Sequence, residues 1–387
     1  MEVTVLDIGS KKISAYVGKD SVNMQLAVVA RGECEYAGFV EGNFLEPDKL
    51  AQCITEALIK LPNSSSIKKV TVGLPGEFCF GSVQDIQHSL DRRRKILDSD
   101  ILELHSKGVS KLQKPDVQVI NIQPIAYMLD KTTRTLNPEG MTASSILGRI
   151  SYTLCHTHYT NKISDILKSL GVVEVEFCSS VVAESLFLLN EAQRDKGAIL
   201  VDCGYLTTTV AILKGDGLLA QCSFSVGGAH IAADFYTYMD IPFDIAEKLK
   251  QDIKLSLAYK EDDCYEVTQN FIKYKYSCKL INAIATERIN AVANTIKEIL
   301  KTHDTSVQNY NIYLTGGGFS FVRGAKDIFS KAIGKNVEVL APNVQEYNKP
   351  DQSSSMGLLS MALKAAEVSQ SSTVSTSRRG ILAKIFK

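Results

Sequence analysis

The chain has no C-x-x-C pair, no net charge and no apolar run approaching the roughly 20 residues that cross a bilayer as a helix. Each absence narrows the field. The nine cysteines are scattered singly, mostly through apolar strand-like runs where thiols behave as small hydrophobes, which points to a reducing cytosol. With 43 basic and 43 acidic residues, no overall field draws a nucleic acid, and none is expected as a partner. The opening MEVTVLDIGS runs straight into a strand without the basic segment and long apolar stretch of a secretion signal. What remains is 387 residues, 45% of them apolar, enough to bury a large core in two or more domains.

An internal repeat organises those residues. VTVLDIGSKKISAYV at 3–17 and AILVDCGYLTTTVAIL at 198–213 share one plan: an apolar strand, D-x-G, a short polar turn and an alternating strand. Asp7 aligns with Asp202 and Gly9 with Gly204, and a third strand is expected near 24–33 and 217–224. Glycine permits a tight turn that brings backbone N–H groups to phosphate oxygens, while a short carboxylate holds hydrated Mg²⁺. One D-x-G is merely a turn. Two, placed alike in two halves, predict a clamp on a polyphosphate.

A third glycine site lies at 311–324, NIYLTGGGFSFVRG, where a strand meets Gly316, Gly317 and Gly318 and then a helix with Phe321, Ala325, Ile328 and Phe329 on its apolar face. Between the sites, VGGAHIAADFYTYMDIPFDIAEKLK at 226–250 sets Gly227 and Gly228 before a helix. Asp244 is read as an N-cap three residues before Glu247, and Glu247 with Lys250 as an i, i+3 pair divided evenly between a solvated salt bridge and a site role.

The order D-x-G hairpin, second D-x-G hairpin, Gly-Gly with AE-x-LK, then L-T-G-G-G resembles the actin, sugar kinase and heat-shock chaperone ATPase superfamily. Within it the chain is similar to the FtsA family over essentially its whole length. VLDIGSKKISAYVG at 5–18 and VGLPG at 72–76 carry the likeness, and VINIQPIAYMLD at 119–130 with NPEGMTASSILGRISYTLC at 137–155 is similar to the inserted subdomain 1C of FtsA. The resemblance implies an α/β, actin-like (ribonuclease H-like) duplicated two-domain fold with that insertion. Its implied divisions are 1–81 for the first part of subdomain 1A, 82–162 for 1C, 163–230 for the first part of 2A, 231–308 for 2B, 309–368 for the 2A/1A return with its core helix, 369–377 for a Ser/Thr linker and 378–387 for an amphipathic membrane-targeting helix.

Carried over residue by residue, the resemblance implies Asp7, Gly9, Ser10, Lys11 and Lys12 as the first phosphate loop and Asp202, Gly204, Thr207 and Thr208 as the second. Gly227, Gly228, Glu247, Lys250 and Gly316 to Gly318 would surround the adenosine end, with ATP as cofactor and Mg held through water by Asp7 and Asp202. Where the family commonly has Gly-Gly after the second D-x-G, this chain has Tyr205-Leu206, bulk that narrows the expected γ-phosphate pocket. No catalytic base is nominated, and Glu184 reads as a surface carboxylate.

At the other end, SQSSTVSTS at 369–377 reads as a flexible tether. In RRGILAKIFK, the side chains Ile381, Leu382, Ile385 and Phe386 fall on one helical face, with Arg378, Arg379, Lys384 and Lys387 around it and no acidic residue. That pattern fits an interfacial helix on an anionic membrane, weak singly and firm when many act together. The expectation is a peripheral protein on the cytoplasmic face of the membrane at midcell. It would polymerise with its own copies and receive the C-terminal peptide of the tubulin-like protein FtsZ on subdomain 2B. The alternatives are a pilus-assembly actin homologue binding an inner-membrane peptide and a small-molecule kinase of the same superfamily. His156 and His158 lack a third ligand for a metal, the run Arg92 to Lys95 reads as a solvated face or a protein contact rather than a lipid site, and Tyr259, Tyr265, Tyr274 and Tyr276 are expected as packing residues on helices.

Overall fold

Alternation along the first hairpin sorts its side chains into two cores. In a computed structural model, which describes residues 2–20, 26–36 and 38–371, strands Glu2–Ile8 and Lys12–Asp20 turn Leu6, Ile8, Ile13 and Ala15 toward the helix Pro47–Ile59. Val5 and Tyr16 face the opposite way, onto Leu358 and Leu359 of the last helix. Coverage on both faces is why apolar side chains stand next to one another in these strands, at Val5-Leu6 and at Ala15-Tyr16-Val17.

The first sheet runs Glu174–Ser179, Lys69–Leu74, Glu2–Ile8, Lys12–Asp20, Leu26–Glu35. The second runs Gly217–Phe224, Thr208–Lys214, Ala198–Cys203, Asn311–Thr315, Val337–Val339. Both have the same build, three antiparallel strands followed outward by two parallel to the first. The duplication read from D-x-G therefore extends to whole sheets, and the fold is α/β and actin-like.

A third sheet, Cys79–Lys95, Thr142–His156, Val117–Leu129 and Thr133–Thr135 with the helix Asp98–Leu112, touches both lobes. On the first lobe, the Ser179 N–H donates to Asn121 Oδ1 at 2.8 Å. On the second, the Asp216 N–H donates to the Pro124 carbonyl at 2.9 Å, Gln221 Nε2 donates to the Cys79 carbonyl at 2.7 Å, and Arg134 pairs with Asp195 at 2.7 Å. Within this sheet Arg94 is not a solvated cation: its guanidinium holds the buried Asp100 through two bonds of 2.7 and 2.8 Å.

Other expectations also need correction. The helix Phe243–Asp252 begins after Pro242, whose carbonyl accepts from Ile245 and Ala246, so Asp244 lies inside the first turn and is not the N-cap; its carboxylate accepts from Gln269. Tyr265, Tyr274 and Tyr276 are not helical but lie in a hairpin, Cys264–Gln269 with Ile272–Ser277, whose turn places Asn270 and Phe271 at φ 49° and 64°. Phe321 precedes its expected helix, which starts at Ala325 after the left-handed Gly324. The last helix spans Ser353–Ser371, running three residues into the stretch read as tether. The remainder of that stretch and the whole of 378–387 lie outside the described residues. Among the described residues no helix is long and apolar enough to cross a membrane.

Candidate functional site

The two D-x-G turns close with the same backbone bond. The Gly9 N–H donates to the Lys12 carbonyl at 3.0 Å, and the Gly204 N–H to the Thr207 carbonyl at 2.9 Å. Each aspartate is the penultimate residue of its strand, Asp7 opposite Ser14 and Asp202 opposite Thr209, and both turns line one cleft of about 1160 Å³. The glycine triplet supplies the third wall. Gly316 sits at φ 84°, and a Cβ there would lie 2.2 Å from Asp202 Oδ1, so that turn has room for glycine alone. The Gly318 N–H donates to the Cys203 carbonyl at 2.7 Å, tying the triplet to the second turn.

The carboxylates are held differently. Asp7 accepts from Ser180 Oγ at 3.3 Å and from Ser354 and Ser355 Oγ at 2.6 Å each. Burial raises its pKa, and the three hydroxyls pull the other way. Asp202 is pushed up to about 7, first by burial and then by the charge of Asp7. Glu184, on the helix Ser180–Leu188, is the correction: it is 1% exposed rather than a surface carboxylate. Burial, then Asp202 and Asp7, push its pKa well above the usual range, and its Oε1 has no hydrogen-bond partner. Sequence reasoning also missed Ser180, Ser354 and Ser355, although serines clustered at the starts of two helices were the available signal.

The Glu247–Lys250 pair is buried rather than solvated, at 2.6 Å, with Lys250 Nζ also donating to the Gly228 carbonyl at 3.2 Å. Burial lowers the Lys250 pKa against the support of Glu247. Of the residues expected at the site, Asp7, Gly9, Ser10, Lys11, Lys12, Asp202, Gly204, Thr207, Glu247, Lys250 and the glycine triplet line the cleft. Thr208, Gly227 and Gly228 stand behind its wall. Thr208 Oγ1 donates to the Val226 carbonyl, while the Gly228 and Ala229 N–H groups donate to the carbonyls of Gly204 and Tyr205. Glycine is required at both positions, since a Cβ on Gly227 would meet the Tyr205 carbonyl at 2.6 Å and one on Gly228 would meet Gly318.

Among the described residues no set of three His, Cys, Asp or Glu could cage a metal by itself. An ion here would have to share its coordination with water and ligand phosphates, the usual habit of Mg²⁺. The carboxylate-rich floor suits such an ion.

Against known proteins, the family described as Cell division protein FtsA matches residues 199–357. Cell division protein FtsA of Enterococcus hirae is 24% identical over 394 residues, covering 98% of this chain and 87% of that protein. In structure, the PilM-PilN type IV pilus biogenesis complex aligns with TM-score 0.63 at 17% identity, covering 94% of this chain and 99% of that one. MreB 5 of Spiroplasma citri bound to AMPPNP aligns at 0.58 and 12% identity, covering 96% and 98%. The structural likenesses speak to the fold.

Proposed function

We propose, from the premise that this actin-like chain is similar to FtsA proteins over nearly its whole length, that it is an ATP-binding cell-division adaptor that self-assembles and couples filaments of FtsZ to the cytoplasmic face of the membrane. The observation that carries this reading is the pair of matching D-x-G turns facing one cleft, with the glycine triplet between them and the nucleotide's end. Asp7 and Asp202 would hold Mg²⁺ through water, and the ion would supply charge neutralisation to the phosphates. The backbone N–H groups of the turns would meet the phosphates and Glu247 with Lys250 the sugar. A relative in fold was solved with AMPPNP, which supports a nucleotide as the ligand.

The remaining assignments rest on sequence pattern. Arg378 to Lys387 has the apolar face and cations of a helix that lies on anionic lipid, and subdomain 2B, at 231–308, is the proposed seat of the FtsZ peptide. Two measurements test the whole. Calorimetry with ATP and Mg²⁺ should show saturable heat, and its absence would remove the nucleotide. Vesicles of anionic lipid should sediment the full chain but not a chain ending at Ser371; equal sedimentation would remove the membrane anchor. Phe386→Glu should mimic the truncation while leaving nucleotide affinity intact.

A further inference from the structure

We propose that Tyr205 and Leu206 are an internal occupant of the first phosphate loop, and that the Tyr205 ring thereby limits the affinity of the cleft for nucleotide. The inference rests on the nucleotide reading above and concerns its regulation.

The three polar side chains that follow Gly9 are all engaged within the protein. Ser10 Oγ accepts from the Leu206 N–H at 3.1 Å. The Lys11 ammonium stands 5.0 Å from the centre of the Tyr205 ring, within cation–π range. Lys12 is bound to Glu33 at 2.7 Å. Two consecutive residues of the second loop therefore hold two consecutive residues of the first, across the cleft. A second ammonium, Lys250, lies 5.4 Å from the same ring while paired with Glu247. The negative face of one ring thus serves two cations that otherwise repel each other.

The ring cannot step aside at no cost. The Tyr205 carbonyl accepts from the Ala229 N–H at 2.8 Å, at the start of the helix Ala229–Met239, and Leu206 is wedged against Gly38, where a Cβ would lie 3.0 Å from Leu206 Cδ1. Its hydroxyl stays neutral, with burial pushing it up to about 12. A phosphate that enters must draw Lys11 off the ring, whereas Ser10 can donate its hydroxyl proton to the phosphate while still accepting from the Leu206 N–H. Apparent affinity is reduced in proportion to the fraction of molecules in which Lys11 is released.

The test is the dissociation constant of ATP with Mg²⁺, by calorimetry at fixed ionic strength, for wild type, Tyr205→Leu and Tyr205→Ala. Leucine keeps bulk and removes the ring face. Both variants should bind about two- to fivefold more tightly, the range expected for one exposed cation–π contact. Tighter binding by alanine alone would show that volume is responsible and overturn the proposal, as would weaker binding by either variant. Saturable binding by wild type with no gain in the variants defeats this inference while leaving the nucleotide reading standing; no binding by wild type defeats both. Independently of any nucleotide, ¹³C-methylated Lys11 should show a ring-current shift in wild type that both variants abolish, and its absence in wild type would exclude the contact.

Discussion

Asp202 titrates where few carboxylates do. In the unfolded chain it has the ordinary value of 3.8, and in the folded protein about 7, so the folded form keeps a proton that the unfolded form has released. The stability this supplies is complete below the lower value and is lost as pH rises through the upper one. Asp202→Asn stays neutral throughout. Its stability relative to wild type should therefore grow from pH 5 to about 7 and then level off, by about 1–2 kcal/mol after allowance for solvent screening. Urea midpoints at four pH values check this, and a constant difference would refute it. Asp7 and Asp202 were legible because their motif occurs twice. Glu184 was not, since its burial comes from the helix Ser180–Leu188, the D-x-G strands and the last helix meeting in space; VVAESLF by itself reads as an ordinary helix with one polar side.

Among elements, the hairpin Cys264–Ser277 shows how tertiary context and turn chemistry defeat pattern reading. Its two-residue turn needs left-handed backbone at both central positions, a demand that Asn270 meets easily and Phe271 does not. Asn-Gly would have announced a hairpin; Asn-Phe did not. Because the Phe271 side chain is fully exposed, Phe271→Gly removes strain and sacrifices little packing. A gain of about 0.5–1 kcal/mol is expected from urea unfolding. A loss would mean that the ring holds the hairpin in place. The D-x-G hairpins, by contrast, were readable because the same strand, D-x-G turn and alternating strand occur twice. The start of the helix Phe243–Asp252 was missed because Pro242 fixes its entry, leaving no role for a side-chain cap at Asp244.

For the molecule as a whole, the third sheet is the brace. Family likeness implied an inserted subdomain at 82–162, and the docking of this sheet on the second lobe was not legible at all, because that docking depends on backbone approach. Gly215, at φ 59°, shows how close the approach is: a Cβ there would lie 2.3 Å from the Ile125 carbonyl. Gly215→Val should push the sheet away, cost about 2–4 kcal/mol and split urea unfolding into two transitions. A single transition at the wild-type midpoint would show that the brace is dispensable.

The covering of Val5 and Tyr16 by Leu358 and Leu359 has a consequence for biosynthesis. The second lobe is contiguous enough to close while the ribosome is still at work, but the first cannot finish until the helix Ser353–Ser371 has been made. A nascent polypeptide carries the strand Glu2–Ile8 with one greasy side uncovered until then, so the two lobes reach their native packing at different times.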